Sequence, residues 1–309
     1  RTPDAWCAAR WVEQLEDACR PERVAGVEKP PEAMTWLDIW QSEAMSLLVP
    51  ALLSPAMGGP WALGTIIADL LELGAEAGKA AQTGDELDPE DENYDPHPLV
   101  TNASGLSRCL VDNRDVQLRA FVLAIRDFST VVALMGDWAK PMVNEVSRHV
   151  DIIDKCHQAA GERGNTMRSL LEHEVEQGMH KEGAILADPS GAMSLLWGAR
   201  TLRLWAGSFE AVVKANAEGK LKEPGMFGRA FDAGYAASIQ PYSGYLVLGI
   251  YSFARRFIAE WPVVSARLAP SEEEVIRDVK QWLMVVNDVV DRLDFNQQDL
   301  DLDDQRKTY

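Results

Sequence analysis

Basic residues are scarce in this chain of 309 residues: 30 Lys and Arg stand against 48 Asp and Glu, so the formal net charge is -18 at pH 7. This charge disfavours a nucleic-acid partner and simple electrostatic docking on anionic lipid. Cysteine is rare too, since the chain has only Cys7, Cys19, Cys109 and Cys156, with no Cys-x-x-Cys pair. Their spacing argues against a zinc site and fits free thiols at least as well as a disulfide.

The sequence also lacks the common catalytic patterns. It contains no Gly-x-Ser-x-Gly, no His-Glu-x-x-His, no Walker loop and no Gly-x-Gly-x-x-Gly. His173, Glu176 and His180 are spaced three and four residues apart, but a di-iron bundle needs Glu-x-x-His on two helices and further inward glutamates. We therefore predict a protein that is not an enzyme and needs no metal or other cofactor.

Helical periodicity is what the sequence does have in quantity. Apolar residues such as Phe121, Ile125 and Phe128 recur at spacings of three and four, and no alternating strand pattern of useful length occurs. Ser271 and Glu274 have the spacing of a capping box, and Asp188 or Ser190 can cap another helix. The predicted helices cover 116–135, 141–160, 166–177, 190–218, 226–238, 242–261 and 271–293. These patterns predict an all-α fold.

Composition divides the chain into four parts. Residues 84–98 carry seven acidic residues and three prolines without apolar periodicity, which is typical of a linker or solvated loop. The predicted parts are a helical Trp-rich extension (1–83), an acidic linker or loop (84–115), a helical domain (116–300) and a polar tail (301–309).

The extension contains an uncharged stretch, residues 44–68, that is long enough to cross a bilayer. Pro50, Pro55 and Pro60 argue against one continuous helix there, and favour two short apolar helices. We expect residues 34–80 to make transient membrane contact or to dock on a protein complex. The chain begins at Arg1, which indicates a processed precursor or an incomplete sequence, and leaves no pre-sequence to interpret. The compartment is therefore undetermined from the sequence: cytoplasmic, or organellar after removal of a targeting sequence.

Trp197 and Arg200 form the first candidate binding feature. They lie three residues apart in an otherwise apolar segment, so they share a helix face. An indole beside a guanidinium suits a sugar ring, a planar head group or a phosphate. A core tryptophan beside an arginine that reaches the surface explains the same pattern, and taken alone the pattern favours that interpretation.

Several segments resemble the glycolipid transfer protein family in order and spacing. They are 166–175 (TMRSLLEHEV), 195–203 (LLWGARTLR), 242–247 (YSGYLV) and the helix that begins at Ser271. The resemblance implies a two-layer, all-helical sandwich that holds a sphingolipid or glycolipid, with the head group at a polar surface site and the hydrocarbon chains between the layers.

The resemblance also implies roles for individual residues. Trp197 falls on the tryptophan that stacks under the sugar, where phosphate-binding members have arginine. Glu145 falls on the head-group aspartate and His149 on its partner four residues later, so we expect both to bond sugar hydroxyls. Ser243 falls on the histidine that binds the ceramide amide, and Arg200 completes the predicted head-group set. The predicted apolar slot is lined by Leu196, Tyr245 and Phe253.

Two functions agree with these residues. The favoured one is non-enzymatic binding and intermembrane transfer of a sphingolipid or glycolipid. The alternative is a fold retained as a structural accessory subunit of a larger organellar complex, whether membrane-bound or not. The altered head-group positions and the uncharged stretch 44–68 motivate this alternative.

Overall fold

The computed structural model describes residues 94–244, 248, 251 and 254–307. The α-helices with defined bounds in this part are α1 (Pro98–Ser107), α2 (Leu118–Ala133), α3 (Lys140–Ala160), α4 (Met167–Glu176), α5 (Gly191–Ala217), α6 (Met226–Ser238), α7 (Trp261–Leu268) and α8 (Glu272–Asp299). Two short strands, β1 (Leu110–Val111) and β2 (Asp115–Val116), pair antiparallel between α1 and α2. The predicted all-α fold is confirmed.

Local hydrogen bonds explain where three of the helices begin. The Ser190 hydroxyl accepts a hydrogen bond from the N–H of Met193 at the start of α5, so Ser190 rather than Asp188 is the cap. Thr166 and Ser169 form a reciprocal capping box at α4. Ser271 caps α8, which continues to Asp299, beyond the predicted end at residue 293.

The region predicted as an acidic linker or loop, residues 84–115, includes part of the folded domain. From Pro98 it forms α1 and the β1–β2 pair, and Leu99 and Leu106 of α1 are buried. Helix α1 packs against α2 and α8. Helix α1 has only ten residues and directly follows an acidic, proline-rich segment. Its apolar face therefore gives too weak a periodic signal to be found in the sequence.

A second difference concerns the segment after α6. The sequence predicts a helix over 242–261 that ends at Trp261-Pro262. In the structure, residues 248, 251 and 254 are helical as predicted, but Gln240–Tyr242 and Arg255–Phe257 are turns of 3₁₀ helix, and Trp261 begins α7. Proline is accommodated in the first turn of a helix because the N–H that it lacks has no partner there.

Helix α5 is the main packing partner in the domain and contacts α3, α6 and α8. At its crossing with α6 the two backbones approach closely. A Cβ atom on Gly234 would lie 2.8 Å from the backbone nitrogen of Ser208, and one on Gly207 would lie 3.1 Å from Cα of Gly234. Only glycine therefore fits at Gly234, and the close approach fixes the face of α5 that turns toward α6.

Aromatic side chains fill the centre of the core. The Trp205 ring meets Phe128 edge-on at 6.2 Å between centroids and Phe231 at 5.2 Å, and Phe128 also stacks on Trp282 at 5.2 Å. The indole N–H of Trp282 donates to the side-chain oxygen of buried Asn102, which ties α8 to α1. This core holds α5 in place from several sides.

Within the described part of the chain, no helix has the length and apolar character needed to span a membrane. The predicted extension, including residues 34–80 and the uncharged stretch 44–68, lies outside the described residues.

Candidate functional site

Helices α3 and α5 bring three of the predicted head-group residues together. The rings of His149 on α3 and Trp197 on α5 are parallel to within 11°, with their centroids 6.5 Å apart. Glu145 lies one turn before His149, and its carboxylate is 3.0 Å from the His149 Nε2 atom. His149 is 4% exposed and Trp197 is 7% exposed. The structure thus gathers Trp197, Glu145 and His149 in one place.

Glu145 is held as a carboxylate. Burial on its own raises the pKa of this group, but hydrogen bonds from His149 and Arg148 more than offset burial and lower the pKa to about 2. Arg148 donates to both carboxylate oxygens, over 3.0 Å from Nε and 2.6 Å from Nη2. Glu145 therefore acts as a hydrogen-bond acceptor and not as an acid.

The Nε2 atom of His149 has two neighbours, the Glu145 carboxylate at 3.0 Å and Nη2 of Arg148 at 3.1 Å. The carboxylate can only accept and the guanidinium can only donate, so the role of Nε2 depends on the tautomer of the ring. The other ring nitrogen, Nδ1, is buried and has no hydrogen-bond partner among the described residues. A hydroxyl can both donate and accept, so this nitrogen can bind one in either tautomer.

Arg200 lies one turn after Trp197 on α5 and is only 2% exposed. Its guanidinium carbon lies 5.0 Å from the centroid of the Trp197 ring and 3.4 Å from that of Tyr242. One of its terminal nitrogens, Nη2, donates to the backbone carbonyl of Asp304. Burial lowers the pKa of Arg200 from its usual value. Arg200 is thus fixed by two aromatic rings and the C-terminal segment.

The hydroxyl of Ser243 makes its hydrogen bonds within the protein. Its hydroxyl donates to the carbonyl of Ile239 over 3.0 Å and accepts from the Tyr235 hydroxyl over 3.3 Å. A contact between Ser243 and a ligand amide stays a prediction. Among the predicted slot residues, Leu196 is buried in the core, whereas Tyr245 and Phe253 lie outside the described residues.

The C-terminal segment contributes to the site in a way that the sequence did not indicate. Leu302 is buried in the core, and the Asp304 carboxylate accepts hydrogen bonds from the N–H of Leu186 and from Arg306. These anchors place the Asp304 carbonyl on Arg200. Acidic composition alone predicted a solvated tail, because one leucine among charged residues gives no periodic signal.

Glu174 is a second residue that sequence reasoning missed. It is buried, and its carboxylate accepts hydrogen bonds from the N–H groups of Gly191 (2.7 Å) and Ala192 (2.9 Å) at the start of α5. Nδ1 of His180 accepts from the N–H of Ala187, so its Nε2 carries the proton and donates to Glu174 over 3.2 Å. Glu174 thereby anchors the helix that carries Trp197 and Arg200.

Comparisons with known proteins identify the fold. Residues 116–262 match the sequence model of the family described as Glycolipid transfer protein (GLTP). No curated protein gives a significant match. The mouse ceramide-1-phosphate transfer protein in its apo form shares 16% identity at a TM-score of 0.60, over 67% of this chain and 98% of that one. FAPP2 is described as selecting simple glycosphingolipids with the GLTP fold. It shares 18% identity at a TM-score of 0.58, over 68% of this chain and 99% of that one.

A fungal glycolipid transfer protein, HET-C2, has the same fold. It shares 18% identity with this chain at a TM-score of 0.51, over 62% of this chain and 92% of its own length. These likenesses confirm the predicted helical sandwich. The solved structures also extend the match beyond the family segment, since two thirds of the chain aligns with nearly all of the mouse protein.

Proposed function

We propose that this chain, whose residues 116–262 match the glycolipid transfer protein family, binds a sphingolipid or glycolipid and carries it between membranes without changing it chemically. The structural neighbours described as transfer proteins for glycolipid or ceramide-1-phosphate support this proposal at the level of the family.

One observation carries the proposal to the level of residues: a buried tryptophan and a parallel histidine ring lie beside an ionised carboxylate. The indole face of Trp197 supplies an apolar platform for a sugar ring. The Glu145 carboxylate supplies a hydrogen-bond acceptor for its hydroxyls, and the Nδ1 atom of His149 supplies a second hydrogen-bonding group. Because these groups are already fixed by the fold, little ordering cost is added when a head group binds.

The hydrocarbon chains would occupy the apolar interior next to Trp197. Leu196 lies beside Trp197 on α5 and belongs to the continuous buried core formed by the packed helices. Each methylene that leaves water for such an interior gains roughly 0.8 kcal/mol. The predicted slot residues Tyr245 and Phe253 remain part of this proposal.

A transfer assay tests the proposal. Donor vesicles contain a fluorescent glucosylceramide or galactosylceramide, and its movement to unlabelled acceptor vesicles is followed after the protein is added. Trp197→Ala should slow transfer about tenfold, because loss of ring stacking removes roughly 1 to 1.5 kcal/mol of head-group binding. Trp197→Phe should retain part of the rate, since a smaller aromatic platform remains.

Trp138→Phe is the matched control for the loss of an indole. Trp138 packs on Phe227 and Phe231, at centroid distances of 6.1 and 5.5 Å, and donates its indole N–H to the Met135 carbonyl. Its replacement should cost stability but leave the transfer rate per folded molecule near wild type. Wild-type protein that carries no lipid in native mass spectrometry and moves none between vesicles would contradict the proposal.

The alternative, an accessory subunit, is favoured by one feature of the site. Trp197, His149 and Arg200 are nearly inaccessible to solvent, and the Asp304 carbonyl already occupies the Arg200 guanidinium. A fold kept only for its surface would have such a closed site. Size-exclusion chromatography separates the two functions: a carrier is soluble and monomeric alone, whereas a subunit aggregates until its native partners are added.

A further inference from the structure

Arg200 is a buried cation without a carboxylate partner. Among the described residues it takes part in no ion pair, although Asp303 and Asp304 lie close enough to attract it electrostatically. The acceptor that it does have, the backbone carbonyl of Asp304, is neutral. Buried charges in proteins are normally paired with an opposite charge, so an unpaired buried guanidinium is unusual.

The free donor of Arg200 has a defined position. Its Nη1 atom is buried and has no hydrogen-bond partner within the part of the chain that the structure describes, and the guanidinium plane is held by the ring contacts with Tyr242 and Trp197. A fixed guanidinium fork matches the oxygens of a sulfate, carboxylate or phosphate group better than a single hydroxyl. The donor is therefore preorganised beside the indole that is the proposed platform for the sugar.

Two of the neighbouring carboxylates already have cationic partners. The Glu145 carboxylate accepts two hydrogen bonds from Arg148, and the Asp304 carboxylate accepts hydrogen bonds from Arg306. An incoming anion would thus meet in Arg200 a cation that forms no ion pair among the described residues, although the whole chain carries a net charge of -18. Low dielectric in a buried site strengthens that attraction.

We propose that Arg200 makes this site selective for acidic glycolipids, lipids whose sugar rests on Trp197 and carries a sulfate or another anionic group that binds the guanidinium. This inference rests on the proposed function and names the class of lipid that the same site prefers. The anionic group takes the donor at Nη1, while the Asp304 carbonyl remains on Nη2 or is displaced.

The test compares two lipids that differ in one sulfate. Galactosylceramide and its 3-sulfated form, with the same ceramide, are placed at equal low mole fraction in phosphatidylcholine donor vesicles. Wild type should transfer the sulfated lipid at least about tenfold faster, because one charge-assisted hydrogen bond corresponds to about that factor in affinity. Ceramide-1-phosphate, which has an anion but no sugar, should move more slowly than the sulfated glycolipid.

Variants on α5 locate the effect. Arg200→Gln should reduce the sulfated-to-neutral ratio to near one, and Arg200→Lys should retain part of it. Arg203→Gln is the matched control, because Arg203 lies three residues later on the same helix, has a 41% exposed side chain and pairs with Asp294 on α8. The sulfated-to-neutral ratio of transfer rates for Arg203→Gln should equal that of wild type.

The outcomes separate this inference from the proposed function. Equal rates for the two lipids, or faster transfer of the neutral one, would overturn the selectivity and leave the carrier function standing. Transfer of ceramide-1-phosphate as fast as the sulfated lipid would overturn the acidic-glycolipid class. Transfer of no lipid would remove the proposed function and the inference together. If Arg200→Gln does not fold, the wild-type ratio still decides.

Discussion

Replacement of Glu174 by glutamine tests how the helix with the candidate site is held. The Glu174 carboxylate accepts from two successive backbone N–H groups of α5, Gly191 and Ala192, and from His180. Glu174→Gln keeps the shape of the side chain but removes its charge and turns one acceptor oxygen into an NH₂ group. The amide then leaves one buried backbone N–H of α5 without an acceptor.

The magnitude follows from these contacts. An unpaired buried N–H costs about 1 to 3 kcal/mol, and loss of a buried anion at a helix N-terminus costs up to about 2 kcal/mol more. We therefore expect the free energy of unfolding to fall by about 3 kcal/mol. In a domain of this size each kcal/mol lowers Tm by roughly 2 to 4 °C, so Tm should fall by roughly 6 to 12 °C.

Urea denaturation followed by far-UV circular dichroism measures this change. Glu172→Gln is the control, because Glu172 lies two residues earlier, has a 45% exposed side chain and forms only a surface ion pair with Arg168. Such a pair contributes about 0 to 1 kcal/mol. If the two variants unfold at the same urea concentration, the hydrogen bonds of Glu174 do not stabilise α5.

Two further predictions concern α6 and α3. Gly234→Ala should destabilise the domain by about 2 kcal/mol or more in urea denaturation, because its Cβ would collide with the α5 backbone. The control is Gly228→Ala on the same helix, whose Cβ would meet no atom within 4 Å and which should stabilise by about 0.5 to 1 kcal/mol. Equal effects of the two substitutions would contradict the close crossing. Glu145 has a pKa of about 2 in the folded protein, against 4.5 for an unperturbed glutamate, so its stabilisation is complete above pH 4.5 and is lost as the pH falls toward 2. The loss of unfolding free energy in Glu145→Gln should be about 2 to 3 kcal/mol at pH 7 and less than half of that at pH 3, and a difference independent of pH would contradict the assignment.

Much of the fold was predictable because helices are specified by local patterns. Ser190 and Ser271 cap α5 and α8 through contacts three residues apart, and the predicted bounds of α6 agree with the structure. Helix α1 escaped prediction because a short apolar face followed an acidic, proline-rich segment. Pro262 was interpreted as the end of a helix, although proline suits a helix start equally well.

The candidate site was predictable where its members share a helix. Glu145 and His149 are four residues apart and so share a helix face, and the resemblance to a family assigned Trp197 to the same head-group site. The role of Glu174 was not predicted, because the groups that bond its carboxylate lie on a loop and at the start of the next helix. Sequence spacing cannot show such contacts, since they depend on how α4 packs beside α5.

The sequence by itself determined the helices of this protein, their caps and the shared face of Trp197 and Arg200, because each of these depends on residues within about one helical turn. Tertiary structure alone decided that Arg200 would be buried between Trp197 and Tyr242 and bonded to Asp304, which is 104 residues away in the chain. It also decided that the backbones of α5 and α6 would meet at Gly234. Such contacts follow from the way apolar faces pack together, so they become visible only when the whole core is assembled.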